Sequence, residues 1–295
     1  MPPNAAEPET RVDPDLAAFL ADAGLGEGFA LTLEHVCRPL SARAKALREH
    51  RGRTVVIGLC GAQGSGKSTI AAVTARLLAS QGLKVAVLSL DDVYLGREAR
   101  TWLAARTHPL LAVRGPPGTH DVPLACAVLD GLGGPGETPL PRFDKGLDER
   151  QPKARWPLIE GPVDVILFEG WCVGARPQPV EALARPVNAL ETEHDPDGAW
   201  RTYVNHQLAD PYPALFARLD ALVLLAAPGF EVVQTWRAEQ EAKLRARTGL
   251  GMSDAQVAVF IQHYERLTRW ILQEMPGRAD WTVRLDAARR PLLDL

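Results

Sequence analysis

The sequence predicts an α/β fold, a parallel sheet covered by helices on both faces. Three observations predict it. Strand-like and helix-like segments alternate from residue 54 onward, the pattern of crossover connections between parallel strands. A glycine-rich loop joins the first of these strands to the first of these helices. Two later strands end in acidic residues, at the edge where open α/β sheets bind ligands.

In chain order, residues 1–12 read as a loose tail. Asp13-Pro14 opens a short helix over 15–22, and 29–50 reads as a second helical stretch interrupted near Pro39. Residues 1–50 are thus expected to form a tail and helical extension, and residues 51–295 the nucleotide-binding domain. The run Thr54-Val55-Val56-Ile57-Gly58-Leu59-Cys60 reads as a buried strand, and 69–78 as an Ala/Leu-rich helix. Between them stands Gly61-Ala62-Gln63-Gly64-Ser65-Gly66-Lys67-Ser68, a complete P-loop. Its glycines let successive backbone N–H groups curl into one anion-sized nest at a helix N-terminus. Gly61, Ala62, Gln63, Gly64, Ser65, Gly66, Lys67, Ser68 and Thr69 are therefore the expected ATP contacts. Lys67 would reach the β- and γ-phosphates, and the Ser68 hydroxyl would sit on Mg2+. The expected architecture is a P-loop NTPase-type sheet.

Further strands are expected over 84–90, 163–168, 220–226 and 281–285. The 84–90 strand runs into Asp91-Asp92, and the 163–168 strand into Glu169. Phosphoryl transfer needs a carboxylate beside the acceptor hydroxyl and acids that hold Mg2+ directly or through water. Asp91 is assigned the base role, close enough to the γ-phosphate to count among the metal acids, and Glu169 follows its apolar strand like a Walker B acid. The competing reading makes Asp91 and Asp92 caps of the next helix. From 107 to 162 the chain is Gly/Pro-rich, and a segment that long with little regular pattern is expected to be a substrate loop. It carries Thr119, His120, Asp121, Arg142, Asp144, Lys145 and Arg150. A basic helix and turn over 229–249 follows the 220–226 strand. It reads as a lid bringing Arg237 and Arg245, with Arg247 close behind, onto transition-state charge. The plainer alternative is an exposed helix with its arginines paired to Glu239 and Glu241. His263 and Tyr264, on an amphipathic helix over 254–274, read as core or pocket wall.

Composition narrows the class. With 46% hydrophobic residues in 295 there is ample material for a core, and a net charge of −3 argues against a nucleic-acid surface. Four scattered cysteines form no CxxC pair and read as reduced thiols. No apolar run reaches spanning length, and the N-terminus is acidic and Pro-rich, so no membrane association and a cytoplasmic location are expected. Oligomeric state is not legible.

Leu88-Ser89-Leu90-Asp91-Asp92-Val93-Tyr94-Leu95 and Ile166-Leu167-Phe168-Glu169-Gly170-Trp171 resemble segments of the uridine kinase, phosphoribulokinase and pantothenate kinase group. Three further blocks are similar to the plant-type D-glycerate 3-kinase family. They are Gly115-Pro116-Pro117-Gly118-Thr119-His120-Asp121, Pro141-Arg142-Phe143-Asp144-Lys145, and Val204-Asn205-His206-Gln207-Leu208 with Tyr212 and Leu215-Phe216. Gln234-Thr235-Trp236-Arg237 and Gly251-Met252-Ser253-Asp254 extend the likeness, which spans about 50–275. It implies a kinase that uses ATP and Mg2+, with Thr119, His120, Asp121, Arg142, Asp144 and Lys145 lining the acceptor pocket and D-glycerate as the small-molecule partner. Two departures stand out. Val93 replaces an aromatic, and Gly146-Leu147-Asp148-Glu149-Arg150 replaces a Ser and a Gly-Arg-Gly-Asp-Arg-like stretch. A kinase for a nucleoside or pantothenate-like metabolite stays open, as does a nucleotide switch, although no Asn-Lys-x-Asp tetrapeptide is present to read guanine.

The P-loop alone generates one prediction. Lys67→Ala should lower turnover by orders of magnitude with an unchanged circular dichroism spectrum, because it removes a charge that follows the transferring phosphoryl group. A folded variant turning over near the wild-type rate would contradict it.

Overall fold

The structure, a computed structural model, describes residues 14–249 and 251–293. The expected tail over 1–12 lies outside the described residues. Five strands form the central sheet: β1 (Val55–Gly61), β2 (Val85–Ser89), β3 (Val165–Gly170), β4 (Ala221–Ala226) and β5 (Trp281–Arg284). Their order is β2-β3-β1-β4-β5, and every pairing is parallel. β1 and β3 are buried at every position, which explains their unbroken apolar runs: a strand covered on both faces has no solvent side to alternate with. β3 starts two residues later than expected. Asp164 is spent in the turn before it, where its carboxylate accepts from the Lys84 N–H at 2.8 Å and from Arg48.

The N-terminal stretch forms α1 (Pro14–Asp22), a π-helical turn at Leu33–Cys37 and α2 (Arg38–Arg51). The interruption expected near Pro39 takes the form of that π-helical turn, which leads directly into α2 with Pro39 in its first turn. Val36, Cys37, Leu40 and Ala44 pack into the main core beside α3 (Lys67–Ala79). Cys37, Cys60 and Cys172 are free and buried, and burial pushes the Cys37 and Cys60 thiols up to about 12.

The 107–162 segment is more ordered than its Gly/Pro content suggests. It contains the helix α4 (Val122–Gly133), with Pro123 in the first turn and Asp121 accepting from the Leu124 N–H at 3.0 Å as N-cap. Two short hairpins follow, pairing Gly136–Pro139 with Leu158–Gly161 and Phe143–Asp144 with Glu149–Arg150. The last long helices are α5 (Glu231–Thr248) and α6 (Asp254–Glu274), the latter opened by a Ser253/Gln256 capping box. Among the described residues no single helix is long and apolar enough to cross a membrane.

α6 is fixed by a buried ion pair. Arg266 donates from Nε and Nη2 to the two Glu191 oxygens at 2.7 Å each, and its remaining donors reach the Ala182 and Arg185 carbonyls. Breaking one member strands the other charge in the interior. Glu191→Ala should therefore cost about 3–5 kcal/mol in urea unfolding. Glu34→Ala, which removes the exposed Arg38 partner, should cost under about 0.5 kcal/mol. Equal costs would contradict this account of how α6 is held.

Candidate active site

The P-loop turns at the carboxyl end of β1. Gly64 and Gly66 adopt φ of +75° and +91°, which side-chain-bearing residues rarely adopt. A Cβ at Gly64 would also lie 2.7 Å from the Trp236 Cβ, so α5 lies directly over the loop. Gly66 caps α3, leaving the helix's first N–H groups available to an anion.

The register of the sheet brings the acids to the same edge. Glu169 lies opposite both Leu59 of β1 and Ser89 of β2. The Ser68 hydroxyl donates to Glu169 Oε1 at 2.8 Å, while the buried Oε2 has no partner among the described residues. Asp91 follows β2 on a 3-10 turn. It accepts from the Tyr94 hydroxyl at 2.9 Å and from Lys145 Nζ at 2.5 Å. Asp92 is used differently. It accepts from the Phe143 N–H at 3.1 Å and from Arg142 at 3.2 Å, fixing the hairpin that carries Lys145.

Two cavities meet at this edge. An open cleft of about 630 Å3 runs along the P-loop and is bounded by Trp236, Arg237 and Lys243 of α5. An inner chamber of about 40 Å3 is walled by Tyr94, Trp171, Phe260 and Tyr264 and carries Arg114. Gln63, Lys67, Asp91, Lys145 and Arg237 face both. Both polar atoms of the Gln63 side chain and Arg237 Nε are buried without partners among the described residues, next to these spaces.

The charges are coupled. Burial pushes the Asp91 carboxyl up, but Lys145 and Lys67, with hydrogen bonds from Lys145 and Tyr94, outweigh it and hold the group well below the ordinary carboxylate range. Lys145 is raised in turn by Asp91, against its own desolvation. Burial raises Asp92 despite Arg142. His120 is lowered to about 3 by burial and so is neutral, with Nδ1 at 2.5 Å from the Tyr212 hydroxyl and its ring stacked on Tyr94 at 4.6 Å.

Several expected acceptor residues face neither cavity. Thr119 is buried and bonds the Gly115 N–H and the Pro116 carbonyl. Asp121 caps α4 and pairs with Arg150 at 3.1 Å, while Arg142 is held on Asp92. Asp144 accepts from the Gly146 and Leu147 N–H groups within its own turn. His120 backs Tyr94 rather than reaching the chamber. Arg245 is bonded to the Met252 carbonyl and to Asp254, away from the loop, and the Arg247 side chain lies outside the described residues. Arg114, which the sequence reading did not single out, lines the inner chamber. It is held by Asp148, whose carboxylate also takes Arg100, a buried cation that donates to the Leu95 and Ala112 carbonyls. The stretch after Lys145 that departs from the expected pattern thus supplies the anchor for both arginines.

The residues fit magnesium in part. Ser68 and the free Glu169 oxygen suit an ion that takes few protein ligands and completes its shell with water and phosphate. Among the described residues no cluster of three His, Cys, Asp or Glu side chains could cage a metal by itself.

The family described as methylmalonyl Co-A mutase-associated GTPase MeaB matches residues 30–94, a segment that holds the P-loop and ends at Tyr94. The uncharacterized kinase mug58 of Schizosaccharomyces pombe is 36% identical over 222 residues, covering 72% of this chain and 79% of the relative. The chloroplastic D-glycerate 3-kinase of Arabidopsis thaliana is 30% identical over 257 residues, covering 81% of this chain. The chain belongs to the D-glycerate 3-kinase family of P-loop kinases. It is an ATP-dependent phosphotransferase. This kinase spans 54% of the length of the plant enzyme. The solved structure of the D-glycerate 3-kinase from Cryptococcus neoformans aligns with a TM-score of 0.75 at 26% identity, covering 87% of this chain and 97% of that one.

Removing Lys145 should expose its hold on Asp91. In Lys145→Met burial is opposed only by Lys67 and the Tyr94 hydrogen bond, so Asp91 takes up its proton at higher pH than in the wild type. A depressed carboxylate contributes stability that is present above its unfolded value, near about 4, and is lost as pH falls through the folded value. Raising the folded value narrows that gap, so urea midpoints measured between about pH 3 and 7 should fall less on acidification in the variant than in the wild type. Parallel profiles would contradict the coupling.

Proposed function

We propose that this kinase transfers the γ-phosphate of ATP to a hydroxyl of D-glycerate. The observation that carries the reading is the inner chamber: small, reached past the P-loop, and supplied with cations by Arg114 and Lys145. A small carboxylate needs such a charge-assisted partner. The names of the plant and Cryptococcus relatives support the same substrate.

In this reading Lys67 follows the β- and γ-phosphates, and Asp91 holds the acceptor hydroxyl toward phosphorus. The hydroxyl oxygen bonds to the γ-phosphorus as the bond to the bridging oxygen breaks. The proton passes to Asp91 and ADP leaves. The low proton affinity of Asp91 suits a loose transition state, in which orientation of the hydroxyl matters more than early proton removal. Arg237, whose guanidinium is bonded to Gln240 and, as the plainer alternative held, to Glu241, would offset charge on the transferring group from the cavity wall, and Gln63 has two unspent polar atoms for the phosphates or the acceptor. Magnesium, held by Ser68 and Glu169, would neutralise phosphate charge. Lys145, between the two cavities, would exchange Asp91 for the incoming anions.

ADP release measured over D-glycerate, L-glycerate, glycerol, uridine and pantothenate tests the acceptor, and product analysis locates the phosphate. D-glycerate should be by far the best substrate. Arg114→Met should raise its KM roughly ten- to a hundredfold with a smaller loss in kcat, the signature of a contact made in ground and transition states alike. Robust turnover of a neutral acceptor with none of D-glycerate would overturn the substrate and leave the kinase.

A further inference from the structure

Most polar groups on the aromatic walls of the inner chamber are already engaged. The Tyr94 hydroxyl donates to Asp91, the Tyr264 hydroxyl to the Arg114 carbonyl, and Trp171 Nε1 to the Gly115 carbonyl. Gln63 is the exception. Its Nε2 and Oε1 are both buried without a partner among the described residues, and it faces the chamber as well as the cleft along the P-loop. We propose that Gln63 binds the hydroxyl of the acceptor that does not react, and so selects a hydroxy acid that carries a second hydroxyl, a role that rests on the D-glycerate reading of the chamber.

Phosphate oxygens do not account for the amide by themselves. A phosphate only accepts, so it satisfies Nε2 and leaves the carbonyl oxygen buried and unmatched. A hydroxyl both donates and accepts, and D-glycerate brings two. In that reading Asp91 takes the reacting one, and the carboxylate goes to the cations Arg114 and Lys145. The second hydroxyl then needs a neutral group that can accept from it. Arg237 Nε, the other buried and unpartnered polar atom on the chamber wall among the described residues, can only donate. Gln63 offers one donor and one acceptor whichever way its amide is turned.

The backbone fixes this side chain in place. Gly64, with its φ of +75°, turns the loop directly after Gln63, and the Ala62 carbonyl accepts from the Ser65 N–H at 3.2 Å across that bend. α5 covers the same bend through Trp236. Gln63 thus belongs to the wall shared by the two cavities, with Lys67 and Asp91. Contacts to the carboxylate and the reacting hydroxyl alone leave the acceptor free to turn about the line between them. A third contact, from Gln63, holds it in one orientation toward the γ-phosphate.

The test reads binding by calorimetry on enzyme loaded with a non-hydrolysable ATP analogue and magnesium, for wild type and for Gln63→Met, which keeps the side-chain length without the amide. The ligands are D-glycerate, 3-hydroxypropanoate and D-lactate. The last two keep the carboxylate and lose one hydroxyl each, and product analysis of the wild-type reaction tells which lacks the hydroxyl that does not react. Wild type should favour D-glycerate over that compound, and the preference should shrink roughly three- to tenfold in Gln63→Met, the size of a hydrogen bond between neutral groups. A preference is a ratio, so effects of the substitution on the nucleotide or the fold cancel, and Gln63→Leu repeats the measurement if the methionine variant is unstable. An unchanged preference overturns the proposal, as does one that shrinks only against the compound lacking the reacting hydroxyl. Wild-type enzyme that does not phosphorylate D-glycerate would instead overturn the substrate reading beneath it.

Discussion

Everything functional in this molecule depends on the parallel register that sets Ser89, Glu169, Leu59 and Val223 in one row across the sheet. Just beyond that row the chain leaves the sheet at several points, and each exit supplies a different chemical group. β1 turns into the P-loop, β2 into Asp91, and β3 ends at the Glu169 carboxylate that takes the Ser68 hydroxyl from 101 residues away. Hydrogen-bonded parallel strands cannot slip by one residue without reversing every side chain, so these groups share a fixed edge.

A second layer of fixing shapes the inner chamber. Asp92 clamps the Phe143 hairpin, and Asp148 on the same hairpin holds Arg114 and Arg100. The Tyr264 hydroxyl bonds the Arg114 carbonyl at 3.0 Å, and Trp171 Nε1 bonds the Gly115 carbonyl at 3.0 Å. Cation and aromatic wall are thereby positioned together, and Lys145 closes the pocket against Asp91. The chamber stays small because its walls are bonded to one another as well as packed. Small size and high local positive charge are what a compact anionic acceptor requires, and both would disappear if the hairpin came loose.

The sheet and the nucleotide loop were legible because they rest on local signals: unbroken apolar runs, glycines at turn positions, and acids at strand ends. The acceptor side was less legible because polar residue type does not reveal where a polar group is spent. Thr119, Asp121, Arg142 and Asp144 look like ligand residues in a one-dimensional reading, yet each is consumed by a turn, a cap or an ion pair. Arg114 escaped notice because its partner Asp148 lies 34 residues away, in a stretch that departs from the family pattern. α4 did have a sequence signal, an Asp N-cap followed by Pro in the first turn, masked by the glycines around it. Arg237 and Arg245 stand on one helix, but only the first reaches the cavities. The second is used to hold the turn before α6.

The proposed role of the inner chamber turns on recognition of a small carboxylate beside the γ-phosphate. The most direct measurement is calorimetric binding of D-glycerate and of glycerol to the enzyme loaded with a non-hydrolysable ATP analogue and magnesium. The two ligands differ chiefly in the carboxylate, so a charge-assisted contact worth about 1.5–3 kcal/mol should favour D-glycerate by roughly ten- to a hundredfold. Equal affinity for glycerol and D-glycerate would contradict it.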